Sequence, residues 1–275
     1  MSSEQPPEQP VPTDGPPKGT PNEEMWRGIL MGTDPRYHRN WSIFHRLPSS
    51  PRCKMCAAPF GGIGGPLMRA MGRRPWDKNP KYCGTCFSVM TNAHGGAEIG
   101  CSILFADVRG STALAERMSP TEFRKLLSRF YETATDLLVQ HDAIVDKFVG
   151  DEVMALFIPA LVQERHAARA IESARALMTA TGNIPGGTPW LPLGAGIHTG
   201  TAYVGAVGDG QQTELTALGD VVNVTARLAS AAGAGEILVT DAAAEAADLP
   251  RAGLEARHLE LRGRSEATDV LVLPG

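Results

Sequence analysis

Four cysteines occur as two C-x2-C pairs in the N-terminal third of the chain, a spacing typical of a metal site. The pairs are RCKMC, with Cys53 and Cys56, and YCGTC, with Cys83 and Cys86. Each pair can place two thiolates on one tetrahedral ion through a tight turn. Because four thiolates leave no open position, the pattern predicts one structural Zn²⁺, with rubredoxin-like iron or an iron–sulfur cluster as the alternative.

Two aspartates further along the chain each follow an apolar segment. Asp107 is the penultimate residue of CSILFADV at 101–108, and Asp151 lies at the turn of the hairpin DKFVGDEVMALF at 146–157. Each is compatible with ordinary turn chemistry when taken alone. If antiparallel pairing brings both turns to one end of a sheet, the carboxylates could hold two Mg²⁺ or Mn²⁺ ions about 3.5–4 Å apart. Such ions activate an attacking hydroxyl and neutralise a triphosphate.

Three further polar side chains have spacings that suit a site. Lys147 lies inside the first strand of the hairpin, where a lysine can also extend to solvent along its aliphatic stem. Asn223 and Arg227 are four residues apart and so share one face of a predicted helix. Taken alone, such an Asn/Arg pair is typical of a solvated helix face.

Alternating strands and helices follow from Gly96 onward, and these elements must position the polar residues. The apolar periodicity predicts a strand at 101–108, a long helix at 119–143, the hairpin, a second long helix at 164–180, two strands within 193–208 and a helix at 219–232. The order β-α-β-β-α-β is the ferredoxin-like pattern of an α+β fold. We expect the helices to lie on one face of the sheet and to leave the other face free for a partner.

The chain divides by composition into three parts. Residues 1–22 are rich in proline and poor in apolar side chains, and we expect a disordered tail. Residues 23–95 combine a helical collar with a four-cysteine, zinc-ribbon-like module, whose Gly- and Pro-rich loop needs a metal for stability. Residues 96–275 form the larger α+β domain, in which Cys101 is expected to be a small core residue.

Composition excludes several classes of protein. The 275 residues are 43% hydrophobic with a net charge of −4, so the chain lacks the basic surface of a nucleic-acid-binding zinc ribbon or an anionic-membrane binder. No apolar run is long enough to span a membrane, and the N-terminus does not resemble a secretory signal. We therefore expect a cytoplasmic protein in which the cysteines form no disulfide framework.

Four segments in this order resemble the class III nucleotidyl cyclase catalytic domain, over about residues 98–272. They are LFADVRGST at 104–112, DKFVGDEVMALF at 146–157, GIHTGTAYVGAVG at 196–208 and TALGDVVNVTARLAS at 216–230. The resemblance implies a ferredoxin-like catalytic domain that works as a head-to-tail homodimer. Each of its two equivalent sites is then drawn from both chains.

The resemblance also implies roles for the metal-binding and base-reading residues. Asp107 and Asp151, with the carbonyl of Val108, are implied to hold two Mg²⁺ or Mn²⁺ ions. Lys147 and Thr216 are implied to read the purine. Within one hairpin, Asp151 would then serve one site of the dimer and Lys147 the other.

Further residues are implied to bind the rest of the nucleotide. Asn223 matches the residue that orients the ribose, and Arg227 the residue that stabilises charge on the α-phosphate. Near the C-terminus, LELRGRSEA resembles the segment that contacts the terminal phosphates, where Arg264 matches better than Arg262.

The substrate expected from the resemblance is ATP. Thr216 occupies the position where many adenylate cyclases have Asp, and a Thr hydroxyl can also accept a hydrogen bond. The Lys-Thr pair resembles a subgroup of adenylate cyclases, whereas guanylate cyclases typically have Glu and Cys at these positions. We therefore expect an adenylate cyclase that forms 3′,5′-cyclic AMP and pyrophosphate, with a guanylate cyclase as the alternative.

A non-catalytic nucleotide-sensing module is the other class of function. Degenerate relatives usually lack metal or transition-state residues. This chain has the five implied residues Asp107, Lys147, Asp151, Asn223 and Arg227. A diguanylate cyclase is disfavoured because its Gly-Gly-acidic hairpin signature is replaced by Val-Gly-Asp-Glu. We expect the four-cysteine module to be structural or regulatory and to bind a protein partner.

Overall fold

Most of the chain beyond residue 20 is described by the computed structural model. The described residues are 21–47, 50–76, 79–86, 88, 95–208, 214–261 and 267–275. A helix begins at Pro21, within the predicted tail, and the rest of that tail lies outside the described residues. Arg262 and Arg264 lie outside them as well.

The N-terminal part begins with helices and contains a small sheet. Its elements are α1 (Pro21–Met31), α2 (Pro35–Phe44), α3 (Gly64–Ala70), β1 (Pro75–Trp76) and β2 (Asn79–Cys83). β1 and β2 pair antiparallel and lead directly into the second cysteine pair. The polypeptide that carries the cysteines is therefore held by short elements on both sides.

The larger part alternates strands and helices as predicted. Its strands are β3 (Gly95–Val108), β4 (Ile144–Val149), β5 (Glu152–Phe157), β6 (Leu193–Val207), β7 (Glu214–Leu218), β8 (Glu236–Thr240), β9 (Glu255–Leu259) and β10 (Thr268–Pro274). Its helices are α4 (Ser111–Arg117), α5 (Pro120–Gln140), α6 (Pro159–Val162), α7 (His166–Thr181), α8 (Asp220–Ala231) and α9 (Asp241–Ala246). Among the described residues, no helix has the length and apolar character needed to cross a membrane.

The strands of this part form one sheet in the order β4-β5-β3-β6-β8-β10-β9, with β7 paired to β6. β3 pairs antiparallel with β5 and β6, and β6 pairs parallel with β8. Strands β4, β5, β3 and β6, with helices α5 and α7, make up the predicted ferredoxin-like unit. The α+β fold is therefore confirmed, and β8, β10 and β9 extend it at one edge.

The prediction of two strands within 193–208 is wrong. β6 is one continuous strand that pairs with β3 along nearly its whole length. Gly200, in the His-Thr-Gly junction, pairs with Cys101 as an ordinary strand residue. A glycine inside a strand pattern need not mark a turn, and Gly200 lies within β6, where a Cβ atom would be 3.4 Å from the side chain of Val221.

Both faces of the sheet are covered, so the expectation that one face is free is also wrong. On one face, α5, α7 and α9 form a buried cluster with Leu104 and Ala106 of β3. On the other face, Ile103 and Phe105 share a buried cluster with Trp26 of α1, the cysteine module and α8. Because β3 is apolar on both sides, it has to be covered twice.

Helix α8 packs directly on the backbone of β6 at Gly196. A Cβ atom at this position would lie 2.5 Å from the backbone nitrogen of Ala229 and 2.7 Å from the carbonyl oxygen of Thr225. Only a glycine therefore lets α8 lie this close to the sheet. Since α8 carries Asn223 and Arg227, the position of both side chains depends on this contact.

Gly196→Ala should lower the free energy of unfolding by about 1–3 kcal/mol, because the new methyl group must push α8 away from the sheet. Urea denaturation followed by circular dichroism measures the change. Gly100→Ala is the matched control, since a Cβ atom there meets no heavy atom within 4 Å. Equal stability of the two variants would contradict the close packing of α8.

Candidate functional site

The two predicted metal-binding aspartates lie at the same end of the sheet. Asp107 is near the end of β3, directly opposite Glu152 of β5. Asp151 is in the turn between β4 and β5, and its carbonyl oxygen accepts a hydrogen bond from the N–H of Val108 at 3.3 Å. The antiparallel pairing of β3 and β5 thus produces the juxtaposition predicted from the sequence.

Arg109 is a member of this site that sequence reasoning missed. Its guanidinium donates a hydrogen bond to the Asp107 carboxylate and others to the carbonyl oxygens of Ser230, at 2.9 Å, and Ala232, at 3.3 Å. Its Nε atom is buried and has no hydrogen-bond partner among the described residues. Arg109 therefore links the Asp107 carboxylate, at the C-terminal end of β3, to the C-terminus of α8. Its position immediately after Asp107-Val108 was the signal available in the sequence.

Glu152 is the second residue that was missed. Burial raises the pKa of its carboxyl group to about 7, the charge of Asp151 adds to the rise, and the charge of Arg109 opposes it. Three carboxyl groups and one guanidinium thus meet at this end of the sheet, which favours binding of a further cation. Oxygen donors of this type suit Mg²⁺ or Mn²⁺, so the residues present fit the ions expected from the sequence.

The two predicted base-reading residues are connected by a third side chain. Thr216 of β7 donates a hydrogen bond from its Oγ1 to Oδ2 of Asp146, at 2.6 Å. The ammonium of Lys147 lies 3.9 Å from the same oxygen. Asp146 lies where the pairing of β4 with β5 shifts register, between Val145 and Lys147. The structure therefore brings Lys147 and Thr216 together around a carboxylate that sequence reasoning missed.

The predicted phosphate- and ribose-binding pair lies on the outer side of α8. Asn223 is exposed and Arg227 is partly exposed, whereas Val224 and Leu228 on the other side of the helix are buried. The predicted sharing of one helix face is consistent with this arrangement. Arg264 lies outside the described residues, so its predicted role in binding the terminal phosphates stays a prediction.

The four predicted cysteine ligands form one cluster. Their sulfur atoms all lie within 4.8 Å of one another, and all four residues are buried. Cys56 Sγ is 3.7 Å from Cys83 Sγ, which is 3.4 Å from Cys86 Sγ. A tetrahedral ion with Zn–S bonds of about 2.3 Å requires sulfurs at about such separations. The N–H of Cys83 also donates to Cys53 Sγ at 3.2 Å, so a backbone hydrogen bond joins the two cysteine pairs.

The four cysteine sulfurs shift one another's pKa values. Contacts with the other three sulfurs lower the pKa of the Cys83 thiol, and the largest contribution comes from Cys53. Contacts with the same group raise the pKa of Cys86, again with Cys53 as the largest cause. Four thiolates in a buried site require a cation, so the donor set fits a soft divalent ion.

One lysine in or beside each cysteine pair forms an ion pair with the same aspartate of the larger part. Lys54 Nζ lies 2.5 Å from one carboxylate oxygen of Asp142 and Lys81 Nζ lies 3.1 Å from the other. The Asp142 side chain is 6% exposed. Asp142 lies in the short connection between α5 and β4. The side chain of Asn79 adds a hydrogen bond to the carbonyl oxygen of Ala143 at 3.2 Å. The module is therefore fastened to the segment that leads into the Lys147 strand.

Replacing two ligands tests the cluster as a metal site. Cys53→Ser combined with Cys56→Ser should reduce bound zinc from about one ion per chain to nearly none, because the two remaining thiolates cannot complete a tetrahedral site. Elemental analysis of the purified protein measures the metal. Cys101→Ala is the control, because Cys101 is buried in β3 away from the cluster. Unchanged zinc in the double variant would reject these ligands.

Asp142→Asn should destabilise the protein by about 1–3 kcal/mol, because it removes the charge that two partly buried lysines share. The urea midpoint measures the loss. Asp241→Asn serves as the control, since the ion pair of Asp241 with Arg251 is about half exposed on both sides and such pairs contribute little. A loss no larger than that of the control would mean that Asp142 does not hold the module.

Comparison with known proteins identifies the larger part of the chain. The profile of the adenylate and guanylate cyclase catalytic domain matches residues 97–273. The chain is 34% identical over 130 residues to adenylate cyclase 1 of Rhizobium meliloti (strain 1021), an alignment that covers 46% of this chain and 20% of that protein. The chain spans only 20 to 32% of the length of curated relatives of this kind.

Two solved structures share the fold. The guanylyl cyclase Cya2 is 29% identical with a TM-score of 0.59, over 65% of this chain and 93% of that one. The adenylyl cyclase CyaB from P. aeruginosa is 27% identical with a TM-score of 0.56, over 65% of this chain and 95% of that one. With a profile match over more than half of its residues, the chain belongs to the adenylate and guanylate cyclase catalytic domain family.

Proposed function

We propose that this chain is an adenylate cyclase that converts ATP into 3′,5′-cyclic AMP and pyrophosphate. The observation that carries the proposal is the position of Asp107 and Asp151 at one end of the sheet, beside the half-buried carboxyl group of Glu152. Such an acidic cluster suits the divalent cations that accompany a nucleoside triphosphate. Membership of the cyclase family supports the reaction class.

The reaction needs a positioned hydroxyl group and a stabilised α-phosphate. When bound at Asp107, Val108 and Asp151, two Mg²⁺ or Mn²⁺ ions would make the ribose 3′-hydroxyl more acidic and neutralise the triphosphate. The 3′-hydroxyl gives its proton to water, its oxygen bonds to the α-phosphorus, and the bond from that phosphorus to the bridging oxygen breaks, so that pyrophosphate leaves with the bonding electrons. Arg227 would donate hydrogen bonds to the α-phosphate as charge develops, while Asn223 would hold the ribose.

The active form is a head-to-tail homodimer with two equivalent sites. Asn223 and Arg227 lie on the outer side of α8, where they are accessible to a nucleotide bound by a second copy. In each copy, Asp107 and Asp151 would hold the ions of one site, while Lys147 and Thr216 would read the base in the other. Arg264 would contact the terminal phosphates.

The cysteine cluster holds one structural Zn²⁺, with iron as the alternative for the same sulfur donors. The distances between the sulfurs and the burial of all four cysteines support a closed site. Because Lys54 lies between Cys53 and Cys56, Lys81 lies two residues before Cys83, and both contact Asp142, a bound ion would fix the module against the larger domain. The module would thereby position the strand that carries Lys147.

A guanylate cyclase is the second candidate, favoured by the similarity to the guanylyl cyclase Cya2. The side chains at the base-reading positions favour ATP instead, because an ammonium and a hydroxyl match the edge of adenine. Cyclic nucleotide formation by purified full-length protein, supplied with Mn²⁺ and either ATP or GTP, distinguishes the two.

We expect cyclic AMP from ATP, and loss of at least about 10²-fold in turnover for Asp151→Ala, since one stabiliser of transition-state charge is commonly worth that much. Cyclic GMP as the main product would favour the second candidate. No cyclic product from either nucleotide, with the wild-type protein verified as a dimer, would reject both.

Complementation tests whether the sites are shared. Asp107→Ala and Lys147→Ala should each be inactive alone but recover activity as a mixed dimer, because one of the two sites is then intact. Differently tagged chains purified in tandem verify the mixed dimer. Absence of recovery in that preparation would contradict a site built from both copies.

A further inference from the structure

A buried carboxylate lies between the two residues proposed to read the base. The side chain of Asp146 is 0% exposed, although it is flanked by the partly exposed Lys147. Its Oδ2 atom accepts the Thr216 hydroxyl at 2.6 Å and lies 3.9 Å from the Lys147 ammonium. One oxygen atom therefore contacts both base-reading side chains.

The backbone explains why Asp146 points inward. In a regular strand, side chains alternate between the two faces, so neighbouring residues cannot both face the same site. The register shift between Val145 and Lys147 breaks this alternation at Asp146. Asp146 and Lys147 can therefore approach Thr216 together. β4 and β7 are otherwise separated by β5, β3 and β6 in the sheet.

The hydrogen bond to Asp146 sets what Thr216 can do for a ligand. A hydroxyl group has one proton to donate, and a carboxylate can only accept. In the observed contact, the Thr216 proton is directed at Asp146. The oxygen of Thr216 then has only acceptor capacity left for a base. Lys147 is the opposite case, because an ammonium can only donate.

This pair of polarities matches one purine and not the other. On its Watson–Crick edge, adenine presents an amino donor beside the N1 acceptor. Guanine presents the O6 acceptor beside an N1–H donor. An acceptor-only Thr216 and a donor-only Lys147 fit the adenine pattern in order, whereas guanine would oppose acceptor to acceptor and donor to donor. A mismatched buried polar pair is strongly disfavoured.

We propose that Asp146 is a specificity-determining residue, which makes the site select adenine by holding the Thr216 hydroxyl as an acceptor. Asp146 acts through Thr216 and does not touch the base, so it is a positioning residue. The inference rests on the proposed function to the extent that Lys147 and Thr216 read the base. It explains how a threonine can replace the aspartate that many adenylate cyclases have at this position: the carboxylate is supplied from the neighbouring strand β4.

Asp146→Asn tests the proposal in the full-length protein. An amide can donate to Thr216, which frees the hydroxyl proton to donate to the O6 atom of guanine. The ratio of kcat/KM for ATP over GTP should fall by roughly tenfold or more. The ratio of Kd values for 3′-deoxy-ATP and 3′-deoxy-GTP, which cannot cyclise, should change by a similar factor. An unchanged ratio in the folded variant overturns the proposal.

A double-mutant cycle separates this role from a merely structural one. In a Thr216→Val background, adding Asp146→Asn should leave the ATP to GTP ratio unchanged, because no hydroxyl remains to be oriented. A further shift in that background would show that Asp146 does not act through Thr216. Asp34→Asn makes the same chemical change at a buried aspartate that pairs with Arg36 and has no contact with Lys147 or Thr216, and it should not alter the ratio.

Two further variants keep the test decisive if Asp146→Asn does not fold. Thr216→Ser retains the hydroxyl and should keep the preference for adenine, whereas Thr216→Val should lose it. Preference unchanged by Thr216→Val overturns the inference.

The binding measurement also separates failure of the inference from failure of the proposed function. Selective binding of 3′-deoxy-ATP that is lost in Asp146→Asn, without any cyclic product from ATP, would reject the cyclase and support the role of Asp146. Binding of neither 3′-deoxy nucleotide to the wild-type protein would reject both.

Discussion

The structure depends on the burial of β3 on both of its faces. Leu104 and Ala106 face one buried cluster, Ile103 and Phe105 face the other, and each cluster recruits helices to cover it. This central strand pairs with β5 and β6 along its length, and Asp107 is therefore placed by the same pairing that builds the core. The position of the acidic site is a consequence of the fold and not of a flexible loop.

Much of the fold could be predicted because the signals were local. Apolar periodicity located the long helices and the hairpin, and the cysteine spacing located the cluster. Two features could not be predicted in this way. Gly200 is compatible with a turn or with the interior of a strand, and only its pairing with Cys101 decides between them. The packing of α1 on the sheet was missed because an amphipathic helix does not specify which surface it covers.

The residues of the candidate site also differ in whether a local sequence signal could identify them. Asp107, Asp151, Lys147, Asn223 and Arg227 were found from short motifs, although their roles stay predictions. Arg109, Asp142 and Asp146 were missed as site residues because their contacts are distant in sequence: Arg109 bonds 121 residues away, Asp142 bonds 88 residues away, and Asp146 bonds 70 residues away. A single sequence carries no record of such pairs, whereas a motif of adjacent residues is visible directly.

The shared contact of Lys54 and Lys81 with Asp142 has a thermodynamic consequence. An ion that orders both cysteine pairs would also order the two lysines beside them. Part of its binding free energy would then stabilise the junction between α5 and β4. Linkage of this kind is reciprocal. A ligand of the neighbouring pocket that binds more tightly when the ion is present would therefore raise the affinity for the ion by the same factor, and the metal affinity of the cysteine module would report occupancy of a pocket that it does not touch.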